Sequence, residues 1–535
     1  MAAALTSSGR TDRLRRWRIL RLGAFLVVII VGNGPFAVSW TATRYEQWQS
    51  HRPDYMRAHG RWDVVADSAT RSIHAAMLRT GKVLLMAGSG NDQGNFDAKR
   101  FRTVLWDPIA NTFTDVHTPW DVFCAGHAFL PDGDLLIAGG TKKYELLAAD
   151  SPDGKKHEYE GLKESYIFNP ATERYEKTGD LNHARWYPTL VSLANGLVVA
   201  VSGLDDDGDI DQGNTESFNP AVRAWNDHPD LRKVFPTYPS LLLAGDGRLF
   251  FSGANAGYGP AGVAERQPGL WNLTDNAFQP VNGLPEPELN ETAGTVMLAP
   301  AQEQKVMFIA GGGVGDTQAA TARTAIVDLD SPDPTYRRGP EMAEAKRYPG
   351  AVILPDDTVL VSGGSTAYRA EDSRSAEIYR PDTNTFTAAA DPHVGRDYHS
   401  EYLLLPDGRV AVFGSNPLSD DNAFETRVEV YSPGYLYRGE RPKIVAAPTR
   451  ITRGSTITLA SSQPVAKARL IRPGAYTHVT DTEQRSVALP IVQQADSSIT
   501  LSVPRNPNLL PSDWYMLFVT NGDGVPSVAA WVQVG

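Results

Sequence analysis

A chain of 535 residues is long enough for two or three ordinary domains, or for one large repeat domain with a smaller companion. Sixty-two acidic against 51 basic residues give a formal net charge of -11, which excludes nucleic acid and anionic membrane surfaces as partners of the bulk of the molecule. With 47 glycines, 37 prolines and frequent aromatic residues, the composition predicts an all-β chain of many short strands. Its single cysteine, Cys124, excludes any intramolecular disulfide.

Six arginines lie between Arg10 and Arg21, followed by the apolar run LGAFLVVIIVGNGPFAVSW over 22–40, about the length that spans a bilayer. Residues 1–44 therefore read as a signal peptide or a signal anchor with its N-terminus inside, the weak cleavage sequence Ala37-Val38-Ser39 favouring the anchor. The expected localisation is extracytoplasmic, anchored or secreted, and the expected state is a monomer.

From residue 45 to about 438 a repeat dominates. One half of each unit is an apolar strand, a tight turn and a second apolar strand ending in glycine, as in HAAMLRTGKVLLMAGS, GHAFLPDGDLLIAGG and YPTLVSLANGLVVAVSG. The other half is a strand, a turn and a strand, as in VLWDPIANTFTDV and YIFNPATERYEKT. The turn positions Gly81, Gly133, Gly196, Gly247, Asp357 and Gly408 are spaced by 52, 63, 51, 110 and 51 residues, the 110 holding two units. Seven four-stranded units that cannot bury both faces alone predict a seven-bladed β-propeller, and the period resembles that of kelch repeats. Residues 439–535 lack the repeat, and short alternating strands such as GSTITLAS and WYMLFVTN predict an Ig-like β-sandwich.

Copies of one unit place equal offsets at equal heights. Nine residues before the turn stand Cys124, Tyr187, Tyr238, Tyr348 and His399, with Tyr398 one residue earlier. The sole cysteine, a histidine and several tyrosines thus form a ring at one mouth of the axis. Taken singly, Tyr238 and Tyr348 read as ordinary strand residues and a lone cysteine as a small hydrophobe. The adjacent pair Tyr398-His399 reads as part of a metal site, and imidazole with phenolate oxygen suits Cu(II). His183 is expected to line the mouth without being a ligand. Asp-rich stretches such as GLDDDGDIDQG match no EF-hand spacing and read as turns.

The segments FCAGHAFLPDG, RWYPT, GRDYHSEYLLLPDGRV and ARLIRPGAYTHVTDTEQRSVALP resemble, in order and spacing, the four active-site segments of the radical copper oxidases, galactose oxidase and more closely glyoxal oxidase. The resemblance implies a thioether between Cys124 and Tyr187, forming a protein-derived Tyr-Cys radical cofactor. It implies one copper ion held equatorially by Tyr187, His399 and His478, with Tyr398 axial and acting as proton acceptor. The implied reaction oxidises a primary alcohol, small aldehyde or carbohydrate and reduces O2 to H2O2. His478 comes from the C-terminal domain, so its loop must thread toward the propeller axis. The tryptophan that stacks on the thioether in galactose oxidase has no counterpart in SGLDDDGDIDQGN. By strand alternation Trp186 is expected on the face opposite Tyr187, and Trp271 in packing between strands, while Trp120 and Tyr258 stay open. The competing reading is a non-catalytic extracytoplasmic propeller that binds glycan or protein, which would have no use for a cysteine in register with a tyrosine.

Overall fold

The computed structural model describes residues 48, 50–259, 266–315, 317–417, 424–495 and 498–535. By contact, the chain divides into 1–56 and 57–535. No helix long and apolar enough to cross a membrane occurs among the described residues, and the apolar run 22–40 lies outside them.

Among the described residues, the stretch 61–432 forms seven antiparallel sheets with four of its strands each, besides two two-stranded ribbons. Within a unit the chain runs outward strand by strand, as in Thr189–Ser192, Val198–Val201, Thr215–Asn219 and Ala224–Asp227. The first two strands are buried on both faces, which is why they read as continuous apolar runs rather than alternating ones. Outer strands such as Arg174–Lys177 keep their polar residues in solvent. The turn residues that set the spacing all adopt positive φ: 84° at Gly81, 83° at Gly133, 84° at Gly196, 92° at Gly247, 78° at Asp357 and 82° at Gly408. A second repeated device ties the third strand to its following turn. Trp106, Trp271 and Tyr379 each donate to an asparagine Oδ1 five residues on, at 3.1, 2.8 and 2.9 Å, and the asparagines take φ of 53°, 59° and 52°. Trp271 is thus a strand-packing residue.

The last sheet closes in a way the repeat pattern did not announce. Its outermost strand is Arg61–Asp67, which pairs antiparallel with Arg427–Ser432, so the N-terminal end of the repeat region completes the unit at its C-terminal end.

The C-terminal region forms two sheets that share one apolar cluster, with Leu459 and Leu501 from one sheet and Leu470, Leu517 and Val532 from the other. From this domain the strand Ala475–Thr477 reaches out and pairs with His74–Met77, the innermost strand of the first unit, with His74 opposite Thr477. The following strand Thr480–Asp481 extends that sheet to six strands.

Candidate active site

The expected ring positions share an unusual backbone. Cys124, Tyr187, Tyr238, Tyr348 and His399 all have left-handed φ, at 61°, 64°, 43°, 54° and 60°. Such values disfavour side chains with bulk at Cβ, and residues held there mark places where the surrounding structure over-determines the conformation. Interunit hydrogen bonds do so here: Tyr187 N donates to Cys124 O at 2.9 Å, and Tyr238 N to Tyr187 O at 3.0 Å. Thr292 holds the same place in the unit whose turn is a 3-10 helix at Ala301–Glu303; it has φ 60°, and Tyr348 N donates to its carbonyl at 2.9 Å.

Five side chains converge at this ring. The Tyr187 and Tyr398 hydroxyls are hydrogen-bonded to each other. Ligand atoms of Cys124, His399 and His478 lie within 4.8 Å of one another, with Cys124 Sγ 3.9 Å from His478 Nε2. The Tyr398 ring stacks on His399 at 3.7 Å, and the two imidazoles stand edge to face at 4.4 Å. All but Tyr398 are nearly inaccessible to solvent.

Hydrogen bonding fixes the His478 tautomer. Thr477 Oγ1 donates its one proton to Ile73 O at 2.9 Å and lies 2.6 Å from His478 Nδ1, so Nδ1 carries the proton and donates to Thr477. Nε2 is left with its lone pair facing the other donors. Both ring nitrogens of His399 lack a hydrogen-bond partner among the described residues. Burial drives both histidines well below the usual imidazole range, so they are neutral, as ligation requires. Burial raises the Cys124 thiol well above its ordinary value, against the pull of the Tyr187 hydroxyl beside it. Two phenols, two imidazoles with available lone pairs and orphaned buried nitrogens form a donor set that fits a copper ion. Thr477→Val is expected to lower copper affinity about 10- to 100-fold, the usual weight of a partner that orients a ligating histidine. Copper titration of the variant with a competing chelator measures it.

Trp186 corrects the sequence reading. It stacks on Tyr187 with centroids 3.8 Å apart and planes at 26°. Alternation fails because Tyr187 is left-handed rather than extended, which brings consecutive side chains together. Tyr159 covers the other side of the indole at 4.2 Å and 4°, and Trp186 Nε1 donates to Thr141 Oγ1 at 3.0 Å. Tyr238 and Tyr348 are also more than strand filler. Tyr238 packs on Tyr187 at 4.5 Å and on His478 at 4.7 Å, and Tyr348 lies 5.6 Å from Tyr398. His183 does not line the mouth; its Nε2 lies 3.2 Å from Asp227 Oδ1 at the outer strand. Trp120 stacks on Tyr166 at 4.1 Å within the core, whereas Tyr258 stands edge-on to Tyr187 at 6.2 Å.

Above the ring opens a cavity of about 540 Å³ that Tyr187, Tyr398, Trp186, Tyr258 and Arg369 help to line. Arg369, missed by sequence reasoning, holds its guanidinium carbon 4.4 Å from the Tyr398 ring centroid.

The C-terminal residues 441–534 match the family model of the galactose oxidase-like early set domain. Galactose oxidase of Gibberella zeae is 28% identical over 506 residues, covering 89% of this chain and 70% of the relative. The aldehyde oxidase GLOX of Vitis pseudoreticulata is 26% identical over 543 residues, covering 89% and 97%. A solved fungal alcohol oxidase of the AA5 family, in complex with copper, superposes with a TM-score of 0.74 at 20% identity, covering 89% of this chain and 99% of that one, which establishes a common fold. With about nine-tenths of the chain inside these alignments, its repeat region and C-terminal domain are together similar to galactose oxidase and to the aldehyde oxidase GLOX.

Proposed function

We propose that this oxidase is a radical copper enzyme on a seven-bladed propeller scaffold, acting outside the cytoplasm as a monomer, anchored or secreted through residues 1–44. Its reaction is the oxidation of a primary alcohol or small aldehyde with reduction of O2 to H2O2. The observation that carries the reading is the convergence of Tyr187, Tyr398, His399 and His478 beside the sole cysteine, with Tyr187 and Tyr398 lining one cavity.

Copper held by Tyr187, Tyr398, His399 and His478 Nε2 would supply one of the two oxidising equivalents that alcohol oxidation demands. The chain must supply the other. Tyr187 is the residue placed for it: a thioether to Cys124 would make its phenol easier to oxidise. Trp186, stacked on the ring and itself sandwiched by Tyr159, excludes water from that face. Tyr398, which lines the cavity, would take the substrate hydroxyl proton. Burial holds its phenol well above the ordinary range, against the pull of the Arg369 guanidinium, so its service as a base would require a bound metal cation to favour the phenolate.

Aerobic copper reconstitution followed by a peroxide-coupled screen of small alcohols, aldehydes and sugars tests the function. Peptide mass analysis of the same sample is expected to recover the Cys124 and Tyr187 peptides joined, with loss of two hydrogens; separate peptides with a free thiol would sink the radical mechanism. Trp186→Leu is expected to hasten decay of the oxidised protein about two- to twelvefold, the factor that about 0.5–1.5 kcal/mol of ring stacking is worth. Following its visible absorption over time measures this.

A further inference from the structure

Among the described residues, the cavity wall carries an unbalanced charge. Of its basic side chains, Lys156 is paired with Glu158 at 2.9 Å and Glu145 at 3.5 Å, and Arg266 with Glu291 at 3.3 Å. Arg369 has no carboxylate oxygen within 4.0 Å among the described residues. It stands at the turn between strands Ser365–Ala367 and Ala370–Asp372 with φ 48°. Its Nε and Nη2 donate to Asn416 O at 3.0 and 2.7 Å, and Nη2 also to Asn416 Oδ1 at 2.8 Å. That clamp fixes the fork and leaves Nη1 without an acceptor among the described residues. A rigid, half-buried guanidinium without a counter-charge is costly unless an anion completes it, and its planar fork matches a carboxylate.

We propose that the substrate itself carries the missing anion: Arg369 binds the carboxylate of a small aldehyde or alcohol whose reacting carbon sits over Tyr187 and Tyr398. This rests on the oxidase reading above. For the smallest such aldehyde, hydrated glyoxylate, one C–H and one O–H bond break, a C=O bond forms, and two electrons and two protons pass to O2, giving hydrogen oxalate and H2O2. The stacking of Arg369 over Tyr398 sets the anionic end of the substrate next to the proton acceptor, so binding and orientation come from one side chain.

The test compares glyoxylate with its neutral counterpart glycolaldehyde, using the copper-loaded full chain and following peroxide release. In Arg369→Gln the ratio of kcat/KM for glyoxylate to that for glycolaldehyde is expected to fall about 10- to 100-fold, and Arg369→Lys to keep part of the preference. Because a disturbed Tyr398 would slow both substrates alike, equal losses on the two overturn the proposal. Calorimetric titration of oxalate into the metal-free full chain gives a readout independent of turnover. The unaltered chain is expected to bind and Arg369→Gln to bind more weakly by a comparable factor; equal binding by both overturns the proposal. No peroxide from any substrate in the unaltered chain would sink the oxidase reading, and the oxalate titration would then decide Arg369 separately.

Discussion

Cys124→Ala is expected to keep its copper and lose oxidase turnover by at least about a thousandfold, equivalent to about 4 kcal/mol of transition-state stabilisation. The prediction discriminates between two uses of the thiol. Sγ lies near both imidazoles, 3.9 Å from His478 Nε2, and a thiolate there would itself be a copper ligand. Burial, however, favours the protonated thiol, and the two phenols with two imidazoles already complete a donor set. The proposed thioether accordingly pairs Cys124 with Tyr187 rather than with the metal. Metal analysis of the purified variant with a peroxide assay reads both quantities. Loss of copper along with activity would make Cys124 a ligand and remove the second electron store from the mechanism.

Arg185→Leu is expected to destabilise the metal-free protein by about 3–5 kcal/mol, because it strands buried carboxylates. Arg185 is wholly buried two residues before Tyr187. Its Nε donates to Glu216 Oε1 at 3.0 Å, its Nη1 to Ser202 O at 2.7 Å, and Asp211 lies 3.6 Å away. Glu216 Oε2 in turn accepts from Asn182 N at 2.7 Å, so one ion pair joins the third strand to the segment leading into the site. The final unit repeats the arrangement, Arg396 lying 3.6 Å from Glu429, whose Oε1 accepts from His393 N at 2.8 Å. Chemical denaturation measures the loss. Adding Glu216→Gln should restore part of it, since the penalty comes from an unpaired charge; a strictly additive double variant would refute that cause.

The repeat was legible because one physical requirement, a positive φ at the hairpin turn, writes glycine or a tolerant residue at a fixed place. That ruler found Cys124, Tyr187 and His399 together. It failed where the turn was different: Thr292 holds a ring position, but its unit turns through Ala301–Glu303 with no glycine to count from. Trp186 was misplaced because alternation assumes extended backbone on both sides, and Tyr187 breaks it. The closing strand Arg61–Asp67 and the reach of Ala475–Thr477 to His74 are pairings across hundreds of residues, which no local pattern records. Arg369 belongs to a hairpin outside the four repeated strands, where nothing in register marks it.

The strand Ala475–Thr477 has a thermodynamic consequence. It delivers His478 by joining the C-terminal domain to the innermost strand of the first repeat unit, while His399 comes from the last. An ion gripped by both histidines would fasten the two ends of the repeat and the terminal domain at a single point. Whatever binds that ion only in the assembled state adds to the stability of the whole in proportion to the logarithm of its concentration. Copper supply would then govern how long the molecule survives as well as how fast it works.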